Sequence, residues 1–166
     1  MPDLLSFLLS HISNPWTIVA ILGFLPLTEV RIAILYGIIA GLNHFDLFLV
    51  AASANIIETA ILFLFIGNKH VLKYMHRFVG NKIEERIKKN KKRFEKYEEL
   101  ALIFLVATPI PGTGAALGVL AANLLKFDKK RSFIAICAGI LISATFVLTA
   151  VNFFMLIFGK FFSYLL

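Results

Sequence analysis

Four long apolar stretches, 16–42, 47–67, 100–125 and 132–159, are set apart by short polar turns and one long basic segment. Residues 47–67 form a clean span of about one bilayer thickness, roughly twenty residues. Residues 132–159 are the last long apolar run, with Gly139 and Asn152 inside it. The other two are interrupted. In 100–125 the run Thr108-Pro109-Ile110-Pro111-Gly112-Thr113-Gly114-Ala115-Ala116-Leu117-Gly118 carries two prolines and three glycines. Pro109 and Pro111 each remove a backbone donor and clash with the preceding turn, so a continuous helix is not expected. In 16–42 the break is Pro26-Leu27-Thr28-Glu29-Val30-Arg31, after Gly23. That run suits one tilted helix or two short limbs that dip in and return to the same face. Residues 2–13 are too short to span; Leu4, Leu5, Leu8, Leu9 and Ile12 recur at helical spacing and predict an interfacial amphipathic helix. Asn43-His44-Phe45-Asp46 reads as a polar turn, Lys126-Phe127-Asp128-Lys129-Lys130-Arg131 as a basic one, and Trp16 stands at a headgroup level.

Composition fixes the class. The chain of 166 residues is 59% hydrophobic and 16% charged, with mean hydropathy +0.84. A soluble domain carries nearer a quarter charged residues, so an integral membrane protein is expected. Cys137 is the lone cysteine, which leaves no internal disulfide and no cysteine metal site. The four histidines lack paired ligand spacing, so no metal and no cofactor are expected. No basic leader with a cleavage site is read at the start.

The net charge of +7 is concentrated. Eleven of the seventeen lysines and arginines fall between residues 69 and 96, and four more are Lys126, Lys129, Lys130 and Arg131. Such clusters beside spans read as cytoplasmic, not as a nucleic-acid surface. In 82–99 Glu84 and Glu85 precede Lys88 and Lys89 by four, in the favourable order for a helix. If all four apolar runs crossed the membrane, one cluster would lie outside. If 16–42 and 100–125 are re-entrant, both clusters lie inside and both termini outside.

The halves match at an offset of about 82. Phe45-Asp46 falls on Phe127-Asp128, Pro26 near Pro109, and the glycine pairs Gly37/Gly41 and Gly114/Gly118 invite close helix contact. Each half then has an odd number of crossings, so the second is inverted. The expected fold is an all-α membrane protein of two inverted repeats, 1–67 and 100–166. Each is a re-entrant hairpin plus a transmembrane helix, and a basic helix over 68–99 joins them. Inverted repeats with broken segments near the midplane are a transporter architecture.

Within the apolar runs, setting aside cysteine, tyrosine and the His44/Asp46 turn, the ionisable residues are Glu29, Arg31 and Glu58. A buried charge costs several kcal/mol unless paired, so each is a functional candidate. Glu29 falls in the first turn of a limb starting at Pro26, where the helix dipole favours an acid. Arg31 is expected to reach Glu58, a substrate anion, or Glu29 through a non-helical tip. A plain structural lock between Arg31 and Glu58 is the competing reading. An apolar setting favours a neutral carboxyl, which suits proton exchange at Glu29 and Glu58. Gly112, Thr113 and Gly114 offer amides and a hydroxyl for an anion, though a turn needing flexible residues explains them equally well. Asn55 and Asn123 serve backbone or substrate. No nucleophile–base–acid set is present, so no enzyme is expected.

Two of these motifs carry a resemblance. Pro26-Leu27-Thr28-Glu29-Val30-Arg31-Ile32-Ala33-Ile34 and Pro109-Ile110-Pro111-Gly112-Thr113-Gly114-Ala115 with Gly118 resemble the small multidrug export protein family, a distant relation of the DedA/VTT membrane proteins. The likeness covers roughly residues 15–155. Ile32 and Leu35 stand where the family pattern has glycine and proline. The resemblance implies a helical transporter with two opposed re-entrant hairpins. It further implies dependence on proton-motive force and movement of lipid phosphates such as polyprenyl carriers.

The leading expectation is a multi-pass cell-membrane transporter for an anionic amphiphile, bound by Arg31 and the 112–114 tip and coupled to protons through Glu29 and Glu58. The alternatives are a proton antiporter exporting small organic cations, with the two glutamates as cation sites, and a non-transporting membrane-organising protein. Partners are membrane lipids and a second copy of the chain, contacting through the glycine pairs.

Overall fold

The computed structural model describes residues 12–26, 28–67, 97–108 and 114–165, with side chains as far as 157. Among these residues it is all helical: α1 (Pro15–Phe24), α2 (Glu29–Ile39), α3 (His44–Phe65), α4 (Glu98–Ala107), α5 (Ala115–Leu125) and α6 (Lys129–Leu165). The helices expected over 2–13 and 68–96 lie outside the described residues, apart from Ile12 and Ser13, which are not helical.

Local chemistry sets the ends. Asn14 caps α1 through Oδ1, which accepts from Trp16 N–H at 2.9 Å, and Pro15 takes the first helical position, where no donor is needed. A residue before proline is pushed out of the helical region. Leu25 before Pro26 (ψ 131°) and Thr108 before Pro109 (ψ 125°) are extended, and α1 and α4 end there. Helices α1, α2, α4 and α5 have ten or eleven residues each. That is about 15 Å, half the hydrocarbon thickness. The interrupted runs are thus pairs of short helices, and α1 packs on α2 as α4 does on α5. Helix α3 and residues 129–157 of α6 are long and apolar enough to cross a membrane.

Two expected turns are shorter than the sequence suggested. Asn43 alone caps α3, accepting from Phe45 and Asp46 N–H at 2.9 and 3.3 Å, so His44, Phe45 and Asp46 are already helical. Asp128 caps α6 by accepting from Arg131 N–H at 2.9 Å. Both preceding helices close with a left-handed residue, Gly41 (φ +72°) and Lys126 (φ +60°). In each case the next N–H reaches back five residues, Leu42 to Gly37 O and Phe127 to Ala122 O. Left-handed residue, cap and helix start therefore recur 85 residues apart: 41 and 126, 43 and 128, 44 and 129. The Phe-Asp pairs that suggested 82 are not equivalent, since one lies inside α3 and the other precedes α6. A Cβ on Gly41 meets nothing within 4 Å. Gly41→Ala is therefore expected to cost the backbone penalty alone, about 1 kcal/mol, read as a small drop in melting temperature.

Helices α3 and α6 run antiparallel. His44 Nδ1 lies 3.4 Å from Asn152 Nδ2 at one end, and the rings of Phe63 and Phe133 meet edge-on at 6.0 Å toward the other. At this second end α4 begins, with Glu99 3.8 Å from Arg131, and α5 finishes, with Asn123 and Lys126 lining a cavity with Phe63 and Lys129. So α4 begins and α5 finishes toward the same end of the long helices, where Lys126, Lys129, Lys130 and Arg131 lie. Helices α1 and α2 pack toward the other end of α3. Gly23 lets α1 approach so closely that a Cβ would lie 3.0 Å from Ala51 O, and at Gly37 it would run into Leu47. On the other side Gly139 and Gly118 receive Val106 (2.8 and 2.9 Å). Small residues let backbones approach where burial of apolar area gains nothing over lipid.

Candidate functional site

The helix ends that flank the two breaks face each other, and Glu29 and Arg31 join them. Glu29 opens α2 with φ +50°, a left-handed conformation unusual for a glutamate. Thr28 before it turns its hydroxyl back to Leu22 O, satisfying a carbonyl left open at the end of α1. From this start the Glu29 carboxylate reaches the first turn of α5 and accepts from the N–H groups of Ala115 and Ala116. Gly114 makes the seat, for a Cβ there would fall on the Glu29 carboxylate itself.

Arg31 takes the other half of the same break. Its Nη2 donates to Val106 O at 2.7 Å and Thr108 O at 2.8 Å, the open carbonyls at the end of α4, and its Nε donates to Ser143 Oγ of α6 at 3.0 Å. An acid thus sits at the positive end of α5 and a base at the negative end of α4, the arrangement the helix dipoles favour. The two residues, unable to face each other on a regular helix, bridge the two limbs of the opposite helix pair.

Behind them, α3 supplies a polar cluster. Asn55 Nδ2 donates to Gly23 O at 3.0 Å and to Glu58 Oε2 at 3.2 Å, and Thr59 Oγ1 donates to Asn55 O at 2.8 Å. Asn55 and Glu58 are 1% and 3% exposed. Glu58 lies within electrostatic reach of Glu29, and among the described residues its Oε1 has no hydrogen-bond partner. The described residues hold no group of three His, Cys, Asp or Glu able to ligate a metal.

Of the residues singled out in the sequence, Glu29, Arg31, Glu58 and Gly114 come together, with Pro26 in the first break. Pro109, Pro111, Gly112 and Thr113 lie outside the described residues. The four glycines of the two pairs serve different contacts within the chain. Gly37 packs on α3, Gly118 on α4 and α6, Gly114 receives a carboxylate, and Gly41 serves a turn. Ser143 and the carbonyls of Val106 and Thr108 went unnoticed in the sequence. Ser143 had one signal: it stands fourteen residues after the start of α6, as Glu58 does after the start of α3.

A family model described as "Putative small multi-drug export protein" matches residues 29–146, from the first site residue to just past Ser143. The match does not extend to a DedA kinship. No curated protein and no solved structure matches the chain.

Proposed function

The chain belongs to the small multi-drug export protein family, and from that premise we propose that it is a membrane exporter in which a proton and a small organic cation compete for Glu58. The supporting observation is the Oε1 of Glu58, without a hydrogen-bond partner among the described residues and buried within electrostatic reach of Glu29. An ionised and unpaired carboxylate there costs several kcal/mol. A proton or a bound organic cation removes that cost, and exchange of one for the other couples export to a proton gradient. In this reading the short helix pairs are re-entrant hairpins from opposite faces, the two halves are inverted repeats, and the basic ends face the cytoplasm. The bonds of Glu29 and Arg31 hold the tips together, and transport requires that they part. The lengths of α1, α2, α4 and α5 support this, as does the way α4 and α5 open at the end where α3 finishes.

A second reading rests on Glu29. Its carboxylate on the Ala115 and Ala116 amides, with Arg31 close by, marks a site fit for an anion. The phosphate of a lipid-linked carrier takes that place once Glu29 accepts a proton and withdraws.

Proteoliposomes with an imposed pH gradient separate the readings. Movement of a cationic dye, reduced at least tenfold in Glu58→Gln with the protein still folded, is the expected result. Movement of polyprenyl phosphate without dye movement selects the second reading. Neither movement above protein-free vesicles removes the exporter and leaves a membrane-organising role.

A further inference from the structure

We propose that the cavity at the basic end of the long helices binds the phosphate headgroup of an anionic membrane lipid. The cavity, about 280 Å³, lies between the end of α3, the end of α5 and the start of α6. Its floor is apolar: Ile66 and Phe127 are buried there beside Phe63. Its polar lining is Asn123, Lys126 and Lys129. Among the described residues Lys126 and Lys129 form no ion pair with an acid. The Asp128 carboxylate accepts from an amide of α6, and Glu99 faces Arg131 at 3.8 Å.

A second observation points to an anion. Helix α6 opens with Lys129, Lys130 and Arg131 and has no acid in its first turn. The positive end of a helix dipole disfavours cations; Asp128 at the cap and Glu99 beside Arg131 offset part of this, and the charge left on Lys126, Lys129 and Lys130 makes a field that a phosphate relieves. The position selects a lipid over a free ion. The cavity sits where the apolar helices give way to charge, and Leu64, Phe65 and Ile134, in the adjoining turns of α3 and α6, are exposed apolar side chains against which acyl chains lie. The site is separate from the junction of the breaks and does not depend on the export reading.

Lipid adducts counted by native mass spectrometry, from vesicles of phosphatidylcholine with or without phosphatidylglycerol, test this. Retention of phosphatidylglycerol by the Lys126→Asn/Lys129→Gln variant is expected to fall by roughly thirtyfold, about fivefold for each lysine at an anionic surface. Asn123→Trp, which keeps every charge and fills the cavity, is expected to lose the adduct too. Full retention in Asn123→Trp overturns the site in favour of diffuse surface attraction, and equal stabilisation by inorganic phosphate overturns the lipid. Should the variants fail to fold, a photoactivatable phosphatidylglycerol on the wild-type protein decides: cross-links at 63–66 and 122–129 support the site, and cross-links elsewhere contradict it.

Discussion

Replacing Arg31 by leucine is expected to destabilise the protein by roughly 3 kcal/mol, the low end for loss of a charged partner because Arg31 is half-buried. The loss has three parts. Val106 O and Thr108 O at the end of α4 lose their donor, Ser143 loses its partner, and the Glu29 carboxylate loses the neighbouring positive charge. Leucine matches the apolar surroundings, so the cost does not come from lost packing. Arg31→Lys keeps the charge, but its one ammonium cannot hold two carbonyls and a hydroxyl in the fixed fork of a guanidinium, and an intermediate loss is expected. Thermal unfolding in detergent, with Arg31→Lys between wild type and Arg31→Leu, checks both the size and the order. Equal melting of all three would mean the bonds to α4 and α6 do not hold the breaks together.

The second large effect is Gly114→Ala. One methyl group evicts the Glu29 carboxylate from the amides of Ala115 and Ala116. The buried acid then has neither amides nor water, a loss of roughly 3 to 5 kcal/mol by analogy with a broken buried pair. The double variant shows whether eviction is the cause. With Glu29→Ala already made there is nothing to evict, so adding Gly114→Ala is expected to cost little more. The two changes should fall well short of additivity. Simple addition of their effects would place the role of Gly114 in its backbone rather than in the seat it makes.

Much of the skeleton was legible because prolines and caps act locally. Pro26 and Pro109 forbid helix at the residue before them, so the breaks could be placed from sequence. Asn43 and Asp128 are ordinary cap residues, yet the polar turns around them were read too long, because a cap needs one side chain and not a run. Lys126 is a poor left-handed residue and gave no sign that it matches Gly41; hence the false offset through Phe45-Asp46. Glu29, Arg31 and Glu58 stood out because charges are scarce in apolar runs. Their partners did not, since Arg31 binds carbonyls of the main chain, which any residue has. Nor did the sequence reveal the left-handed start at Glu29 that aims its carboxylate across the junction.

In the proposed architecture the two helix pairs enter from opposite faces and meet within the membrane at Glu29, Arg31 and Glu58. Single cysteines at Asn14, Asn43, Gly67, Tyr97 and Lys126, in a Cys137→Ala background, can be labelled with an impermeant maleimide from either side of oriented vesicles. Positions 14 and 43 are expected to react from one face and positions 67, 97 and 126 from the other. Labelling of 14 and 43 from opposite faces, or of 97 and 126 from opposite faces, would mean that a helix pair crosses the membrane, and would contradict this architecture.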